Sequence, residues 1–386
     1  MNLSDRIVNV LRLTLKKKNV VLHEPFFSQL EKKTLVDCIE SGFVSSAGKY
    51  VDKFEYKIRK FTNSKYAISA INGTAALHLA LHLLDISKND EVILPTITFV
   101  ATANAISYCG AIPHFVDSEL STFGIDVIRL EKYLSKNCKI INGKCFNKNT
   151  KRIIKAIIAV HIFGNPMNIE ELLRVAKKFR LKVIEDSAEA LGSFYKNTHL
   201  GNFGDIGILS FNGNKIITTG GGGMLLIKSD KLAKKAKHLS TTAKKKHKWE
   251  YFHDQVGFNY RMPNINAALG HAQISNINKL IKAKKKLHFL YKKNFSKIRG
   301  VNLITVNPFS KKNNYWLNAI FIYNSSISKR NKLLKELHRS GYYCRPVWTP
   351  LHKLPMYRKS PKDKLINAEI IEKSVINIPS SSHFCY

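Results

Sequence analysis

Residues 210–223 read SFNGNKIITTGGGG and place one lysine, Lys215, between an apolar strand-like run and four glycines. Lysine and arginine together number 63 in this chain, and most lysines keep their charge in water at the surface. The neighbours of Lys215 argue against that ordinary interpretation, because glycines 220–223 let the backbone approach whatever the lysine touches. The stretch therefore indicates a lysine that belongs to a binding or catalytic site.

Short apolar strands alternate with amphipathic helices on both sides of this stretch. The alternation predicts an α/β fold with a large, mostly parallel central sheet flanked by helices. The predicted strands are 65–70, 90–95, 111–117, 153–160, 181–186, 205–211 and 222–228, and the predicted helices between them are 74–84, 98–110 and 168–179.

The pattern changes after about residue 250. Residues 257–295 predict one long helix opened by Pro263, and the segments that follow predict a small α+β domain. We therefore expect a large domain with an N-terminal extension over residues 1–250. Residues 251–386 would form the long bridging helix and the small C-terminal domain.

The formal net charge of +36 favours anionic partners. The lysines, however, are scattered or lie in short runs such as AKKKHK, without a zinc finger or an aromatic-basic alternation around them. We therefore expect a small anionic ligand and no nucleic acid.

The opening residues, MNLSDRIVNVLRLTLKKKNV, carry most of their charges after their apolar part, which is the wrong order for a secretion signal. The alternative is a short amphipathic helix that rests on a partner or a membrane surface. No apolar run approaches the roughly 18 residues that span a bilayer, and the six cysteines show no CxxC spacing that would suggest zinc. We expect a cytoplasmic protein with reduced thiols and no metal.

Polar residues follow several of the predicted strands. Gly73 and Thr74 lie where a strand turns into a helix, so free backbone N–H groups could hold a phosphate there, although an ordinary turn explains them equally well. Asp186 ends an apolar strand and needs a partner that offsets its desolvation, either a turn or a cationic ring nitrogen. Ser210 lies at the end of a third strand, and Lys215 follows in a turn rich in asparagine and glycine. Because ligands collect at the carboxyl ends of strands in such sheets, we expect these residues to meet.

Six motifs in this order resemble one family. NGTAALHLAL, PTITFVATANA, HIFGNP, EDSAEALGS, SFNGNKIITTGGGGM and GFNYRMPNINAALG are similar to stretches of the fold-type I, pyridoxal-phosphate-dependent aminotransferases of the DegT/DnrJ/EryC1/StrS group, which act on nucleotide-linked keto sugars. LHEPFF and GFVSSAGKYVDKFE further resemble members that aminate C4 of UDP-linked 4-keto-6-deoxy-N-acetylhexosamines on routes to legionaminic acid and bacillosamine.

The resemblance implies roles for the two central residues. Lys215 matches the lysine that binds pyridoxal 5'-phosphate covalently and then moves the proton during transfer, and it must be neutral to attack. Asp186 matches the acid that keeps the pyridine nitrogen protonated. Glutamate is the implied amino donor, a nucleotide-linked keto sugar the acceptor, and surface polysaccharide the product in which the amino sugar is used.

The resemblance also implies contacts around the cofactor. Gly73, Thr74 and Ser210 match residues that bind the phosphate, Phe99 matches the aromatic that stacks on the ring, and Glu189 aligns with a residue near the cofactor's hydroxyl group. The expectation is that these residues lie around one cavity in the folded chain.

The motifs also suggest roles for three further residues. Asn259, in GFNYR, matches a residue that reaches across a dimer interface to the neighbour's phosphate, which implies a homodimer with shared active sites. Arg261 contacts either the donor carboxylate or the sugar nucleotide, or else forms a structural salt bridge. His161 is either a substrate contact or a core histidine with satisfied hydrogen bonds.

Two departures from the family and three alternatives remain at this point. Gly221 stands where many members have glutamate, and the sequence ends with INIPSSSHFCY, where relatives are expected to continue into a further helix. A sugar 3-dehydratase of the same fold would carry histidine in place of Lys215. An amino-acid aminotransferase of the same fold would keep Lys215 and Asp186 without the GFNYR stretch. The non-enzyme alternative is a basic scaffold or regulator.

Overall fold

Strands and helices alternate over residues 2–385, the part of the chain that the computed structural model describes. The strands in this range are β1 (Tyr66–Ala70), β2 (Glu91–Pro95), β3 (Ile112–Val116), β4 (Cys138–Ile141), β5 (Lys144–Asn147), β6 (Ile153–Val160), β7 (Lys182–Asp186), β8 (Phe194–Tyr195), β9 (Thr198–His199), β10 (Ile206–Ser210), β11 (Gly223–Ile227), β12 (Val301–Leu303), β13 (Asn318–Ile322), β14 (Arg345–Pro346) and β15 (Val375–Ile378).

The helices surround two sheets. They are α1 (Leu3–Leu15), α2 (Gln29–Glu40), α3 (Lys49–Thr62), α4 (Gly73–Leu83), α5 (Ala101–Tyr108), α6 (Val127–Asn137), α7 (Ile169–Lys178), α8 (Asp230–Ser240), α9 (Asn264–Gln273), α10 (Ile277–Phe295), α11 (Ile327–Arg339) and α12 (Ile366–Ser374).

The large sheet has nine strands, with the order β1-β11-β10-β7-β6-β2-β3 along its main path. All strands on this path run in one direction except β11, which is antiparallel to both of its neighbours. The β4–β5 hairpin, which the sequence pattern missed, pairs with the start of β6. The predicted α/β fold with a mostly parallel central sheet is confirmed. Since both faces are covered, strands such as β2, β10 and β11 are buried at every residue.

Helices cover both faces of this sheet. Helix α4 buries Ala76, Leu79 and Ala80 on one side. Helix α7 buries Leu172 and Val175 on the other. The carboxyl ends of β1, β7 and β10 therefore meet at a single edge, which the N-terminus of α4 joins.

The small sheet has the order β12-β13-β15-β14 and is antiparallel throughout. Helix α1 packs on it: Ile7 and Leu11 are fully buried in one apolar cluster with Leu287 and Tyr291 of α10. The N-terminal extension, which the predicted boundary assigns to the 1–250 domain, thus packs with the C-terminal elements. The division near residue 250 stays a prediction.

The predicted long helix differs from the structure in two respects. Residues 257–262 are extended, and the helix itself is divided into α9 and α10 by a 3₁₀ turn at Ile274–Asn276. Lys57 of α3 explains the interruption, because its Nζ donates to the carbonyl oxygen of His271 at 2.9 Å and to Ser275 Oγ at 2.8 Å. This carbonyl would otherwise serve the α-helical ladder. Within residues 2–385, no helix is long and apolar enough to cross a membrane.

Candidate active site

A cavity of about 310 Å³ opens at the edge of the large sheet where β1, β7 and β10 end. Its lining includes most of the residues that the sequence assigns to a site. They are Gly73, Thr74, Phe99, Asp186, Glu189, Ser210 and Lys215. Three others, His161, Asn259 and Arg261, are not among the lining residues.

The N-terminus of α4 forms one wall of the cavity. The side chain of Asn72 caps the helix by accepting the N–H of Ala75 at 2.8 Å, which leaves the N–H groups of Gly73 and Thr74 at the cavity. A Cβ added at Gly73 would lie 3.2 Å from Ser210 Oγ, so the hydroxyl of Ser210 is packed closely against this turn. N–H groups, a hydroxyl and the positive end of a helix dipole suit a phosphate.

The glycine run, residues 220–223, packs against the turn that begins α4. Gly223 pairs with Ala70 of β1 and with Ser210 of β10. A Cβ at Gly223 would lie 2.4 Å from the carbonyl oxygen of Asn72, so the close approach to the helix turn requires glycine. At Gly221, in contrast, the nearest atom to an added Cβ is the carbonyl oxygen of Ile71, 3.8 Å away. The position that departs from the family thus has room for a side chain.

Asp186 lies at the end of β7 and is only 6% exposed. Its Oδ2 accepts the hydroxyl of Thr102 at 2.8 Å, and its Oδ1 accepts the N–H of Ala188 at 3.2 Å. Burial raises the pKa of Asp186, and these two hydrogen bonds only partly offset that effect. A buried carboxylate of this kind gains from a cationic partner such as a protonated ring nitrogen.

Lys215 faces a second carboxylate. Its Nζ lies 3.5 Å from Glu189 Oε1, and the lysine side chain is 13% exposed. Glu189 Oε2 accepts the N–H of Phe163 at 2.8 Å, and Phe163 adopts a left-handed backbone (φ 57°). Burial raises the pKa of Glu189 to about 7, although Lys215 acts in the opposite direction. The carboxyl group of Glu189 can therefore take up or release a proton near neutral pH.

Several residues of the site carried no signal in the sequence. Trp316 donates its indole N–H to the carbonyl oxygen of Asn214 at 2.7 Å, and the centre of its ring lies 4.3 Å from Lys215 Nζ. Trp348 also lines the cavity. The pattern around Trp316 predicts only a strand, since nothing local shows that the residue meets a turn about 100 positions earlier.

His161 does not reach the cavity. The residue is fully buried, its Nε2 lies 3.2 Å from Glu185 Oε2, and its Nδ1 accepts the N–H of Met167 at 3.4 Å. Both ring nitrogens are therefore engaged inside the fold. The structure supports the alternative of a core histidine and not the predicted substrate contact.

Asn259 and Arg261 lie in the extended segment before α9. Asn259 is exposed and forms a bridge with Thr241, and the carbonyl oxygen of Tyr260 accepts the N–H of Ile71 at 2.7 Å. The segment thus passes beside the turn that precedes Gly73, but neither predicted side chain lines the cavity of its own chain. Their roles stay predictions.

The arrangement of charges shows which group the cavity suits. The N–H groups at the helix start could bind a phosphate, the buried carboxylate of Asp186 could pair with a cation, and Lys215 has an amine that could react with an aldehyde. Pyridoxal phosphate has a phosphate, a ring nitrogen that can be protonated and an aldehyde, which complement these three features. Phe99 also lines the cavity and could stack on the ring. Fold and site together define a pyridoxal-phosphate-dependent aminotransferase of fold type I.

Comparison with known proteins gives the family. Residues 27–386 match the DegT/DnrJ/EryC1/StrS aminotransferase family, and the chain belongs to it. It is a pyridoxal-phosphate-dependent sugar aminotransferase. This result removes the alternative of a scaffold without enzymatic activity.

Three relatives illustrate the likeness. GDP-perosamine synthase of Escherichia coli O157:H7 is 38% identical over 94% of this chain and 93% of its own. The UDP-4-amino-4,6-dideoxy-N-acetyl-beta-L-altrosamine transaminase of Campylobacter jejuni is 30% identical over 87% and 86%. The PLP form of the sugar aminotransferase Spr1654 from Streptococcus pneumoniae, described as putative, superposes with a TM-score of 0.83 at 25% identity and covers 93% of both chains.

Proposed function

We propose that this enzyme transfers an amino group from glutamate to the 4-keto carbon of a nucleotide-linked keto-deoxy sugar used in bacterial surface glycans. The observation that carries the proposal is the meeting of Lys215, Asp186 and the start of α4 in one cavity. The six cysteines are all free, which supports the predicted cytoplasmic location.

Some residues of the cavity would bind the cofactor, and others would transfer protons. The N–H groups of Gly73 and Thr74, with the hydroxyl of Ser210, bind the phosphate. Asp186 holds a proton on the ring nitrogen through its negative charge. The bound cofactor supplies an electron sink for the negative charge that develops on the donor's α-carbon.

Lys215 and Glu189 handle the proton of the reacting amine. Lys215 reacts only when neutral, and Glu189 Oε1, 3.5 Å away, is placed to accept a proton from Nζ. Trp316 and Trp348 cover the cavity from the side of the small domain and exclude water from the lysine.

The nucleotide of the acceptor has two candidates. LHEPFF and GFVSSAGKYVDKFE favour a UDP-linked N-acetylhexosamine, the acceptor of the legionaminic acid type. Relatives whose names specify a GDP-linked amino sugar have the higher identities to this chain, which favours a GDP-linked acceptor. The 4-keto position is common to both proposals.

One experiment separates these candidates. The enzyme is first bleached with glutamate and freed of excess donor, and then UDP-, GDP- and dTDP-linked 4-keto-6-deoxy sugars are added one at a time. The proposed acceptor restores the yellow absorbance of the starting enzyme. Failure of every nucleotide sugar to restore it, together with restoration by 2-oxo acids alone, would show an amino-acid aminotransferase instead.

We also propose that the enzyme is a homodimer with shared sites, because Asn259 is exposed and lies outside its own chain's cavity. Differently tagged Asn259→Ala and Lys215→Ala chains are co-expressed, and the heterodimer is isolated. One of its two sites would carry neither change, so activity at limiting cofactor should exceed that of the Asn259→Ala homodimer. Equal activity, or an active monomer of the native enzyme, would contradict shared sites.

A further inference from the structure

Lys284 lies in the middle of α10, and its side chain is buried. It is 1% exposed, and its Nζ donates to two backbone carbonyl oxygens, those of Trp316 at 2.9 Å and of Ser380. Both acceptors are neutral. Burial therefore lowers the pKa of Lys284 to about 7.

The first acceptor leads directly to the cavity. Trp316, whose carbonyl Lys284 holds, donates its indole N–H to the carbonyl oxygen of Asn214. Asn214 immediately precedes Lys215, and the Trp316 ring lies 4.3 Å from Lys215 Nζ. The turn itself is closed by the N–H of Lys215, which donates to the carbonyl oxygen of Asn212 at 3.0 Å. Two hydrogen bonds thus connect the core of α10 to the turn that carries Lys215.

A neighbouring contact holds the same segment from the opposite side. Asn314 accepts the N–H of Trp316 at 2.9 Å and donates to the carbonyl oxygen of Glu189 at 2.7 Å. The short segment 314–316 is therefore hydrogen-bonded both to Glu189 and to Asn214, the residue that precedes Lys215. Lys284 is the hydrogen-bond donor of α10 that anchors this segment to the helix.

The charge of Lys284 also acts on a second buried side chain, that of His23. Both of its ring nitrogens are buried without a hydrogen-bond partner. Its pKa is lowered by burial and, beyond that, by the charges of Lys284, Lys215 and His383.

We propose that Lys284 is a positioning residue for Lys215, acting through Trp316. The proposal rests on the proposed role of Lys215 as the lysine that binds the cofactor. A methionine would fill the same volume without the cost of burying an ammonium group. What the lysine adds is a donor for the Trp316 carbonyl, which fixes the indole against the Lys215 turn.

The test compares Lys284→Met with two other variants. Lys284→Arg keeps a donor at the same position. Lys57→Met is the matched control, because Lys57 also donates to a backbone carbonyl, but on α9 and away from the cavity. All three are purified without cofactor, and hydrogen exchange is measured at the Lys215 amide. The rate of covalent capture of added pyridoxal phosphate is measured separately, by borohydride reduction and peptide mapping.

Lys284→Met should exchange the Lys215 amide about two- to tenfold faster than the native enzyme, the range for one hydrogen bond of ordinary strength. Its capture of the cofactor at Lys215 should slow by a similar factor. Lys57→Met should change neither rate, and Lys284→Arg should recover part of both. Native rates in a folded Lys284→Met protein would overturn the proposal.

Two further outcomes are distinguishable. If Lys284→Met does not fold, Trp316→Phe breaks the same connection at the Asn214 carbonyl, and unchanged exchange at Lys215 in that variant also overturns the proposal. If borohydride attaches the native enzyme's cofactor to another residue, the assigned role of Lys215 fails. The exchange measurement still reports whether Lys284 orders the turn.

Discussion

Replacement of Glu189 by glutamine should change the stability of the cofactor-free protein in a pH-dependent way. Burial raises the pKa of this carboxyl group to about 7 in the folded state, against an ordinary value of 4.5. Below pH 4.5 the group is protonated in both states and its pKa shift costs nothing. As the pH rises toward 7, the unfolded chain releases its proton first, so the native state loses stability.

The size of the effect follows from this difference. At about 1.4 kcal/mol for each pH unit, the pKa shift costs the native enzyme about 1.4 kcal/mol at about pH 5.5 and about 3 kcal/mol at about pH 8. Glu189→Gln removes the ionisation, while its amide oxygen can still accept the N–H of Phe163. The stability of the variant relative to the native enzyme should therefore increase by about 2 kcal/mol between these two pH values.

Urea unfolding at the two pH values measures this double difference, in which any pH-independent effect of the substitution cancels. Glu185 provides a matched control, because it is a buried glutamate as Glu189 is. Burial alone would raise its pKa, but hydrogen bonds from His161 and from the N–H groups of Gly204 and Gly201 lower it overall. Glu185→Gln should therefore destabilise the protein at neutral pH, and the loss should shrink on acidification. An unchanged difference for Glu189→Gln at the two pH values would refute the reasoning.

Four other substitutions test the site. Lys215→Ala should abolish turnover without loss of the fold, because the lysine is proposed to be both the covalent partner and the proton carrier; substantial transamination in steady-state assays would contradict this role. Asp186→Asn should bind cofactor but lose most of its rate, since a neutral amide cannot hold the ring proton by charge, and a near-normal kcat would remove Asp186 from the mechanism. Gly223→Ala should weaken cofactor binding measured by absorbance titration, because the added Cβ would lie 2.4 Å from the Asn72 carbonyl oxygen. Gly221→Ala has room for its methyl group and should bind normally, so equal loss in both variants would count against the proposed cradle.

The sequence predicts those parts of the site that depend on one strand and the turn after it. Asp186, Ser210 and Lys215 each follow an apolar strand, and the rule that parallel strands end at one edge brings them together. Trp316 escapes this reasoning because it comes from the small domain and meets Lys215 only in the folded chain. The break between α9 and α10 escapes it for the same reason, since Lys57 captures a carbonyl 214 positions away. His161 stands at a strand end as Asp186 does, and only its two buried partners show that it turns inward.

The charge of the whole chain and the charge of its cavity have opposite signs, and this difference explains why composition alone could not define the ligand. Lysine and arginine exceed aspartate and glutamate by 36, yet the described cavity lining contains two carboxylates, Asp186 and Glu189, and one lysine. The anionic phosphate is assigned to uncharged N–H groups and a hydroxyl, not to lysines. In the proposed site, a cofactor with a protonated ring nitrogen would give Asp186 a cationic partner, while Glu189 would remain the carboxylate that faces Lys215, 3.5 Å from its Nζ. Selectivity for this cofactor therefore depends on the placement of a few buried charges, while the surface lysines can attract anionic substrates from a distance without choosing among them.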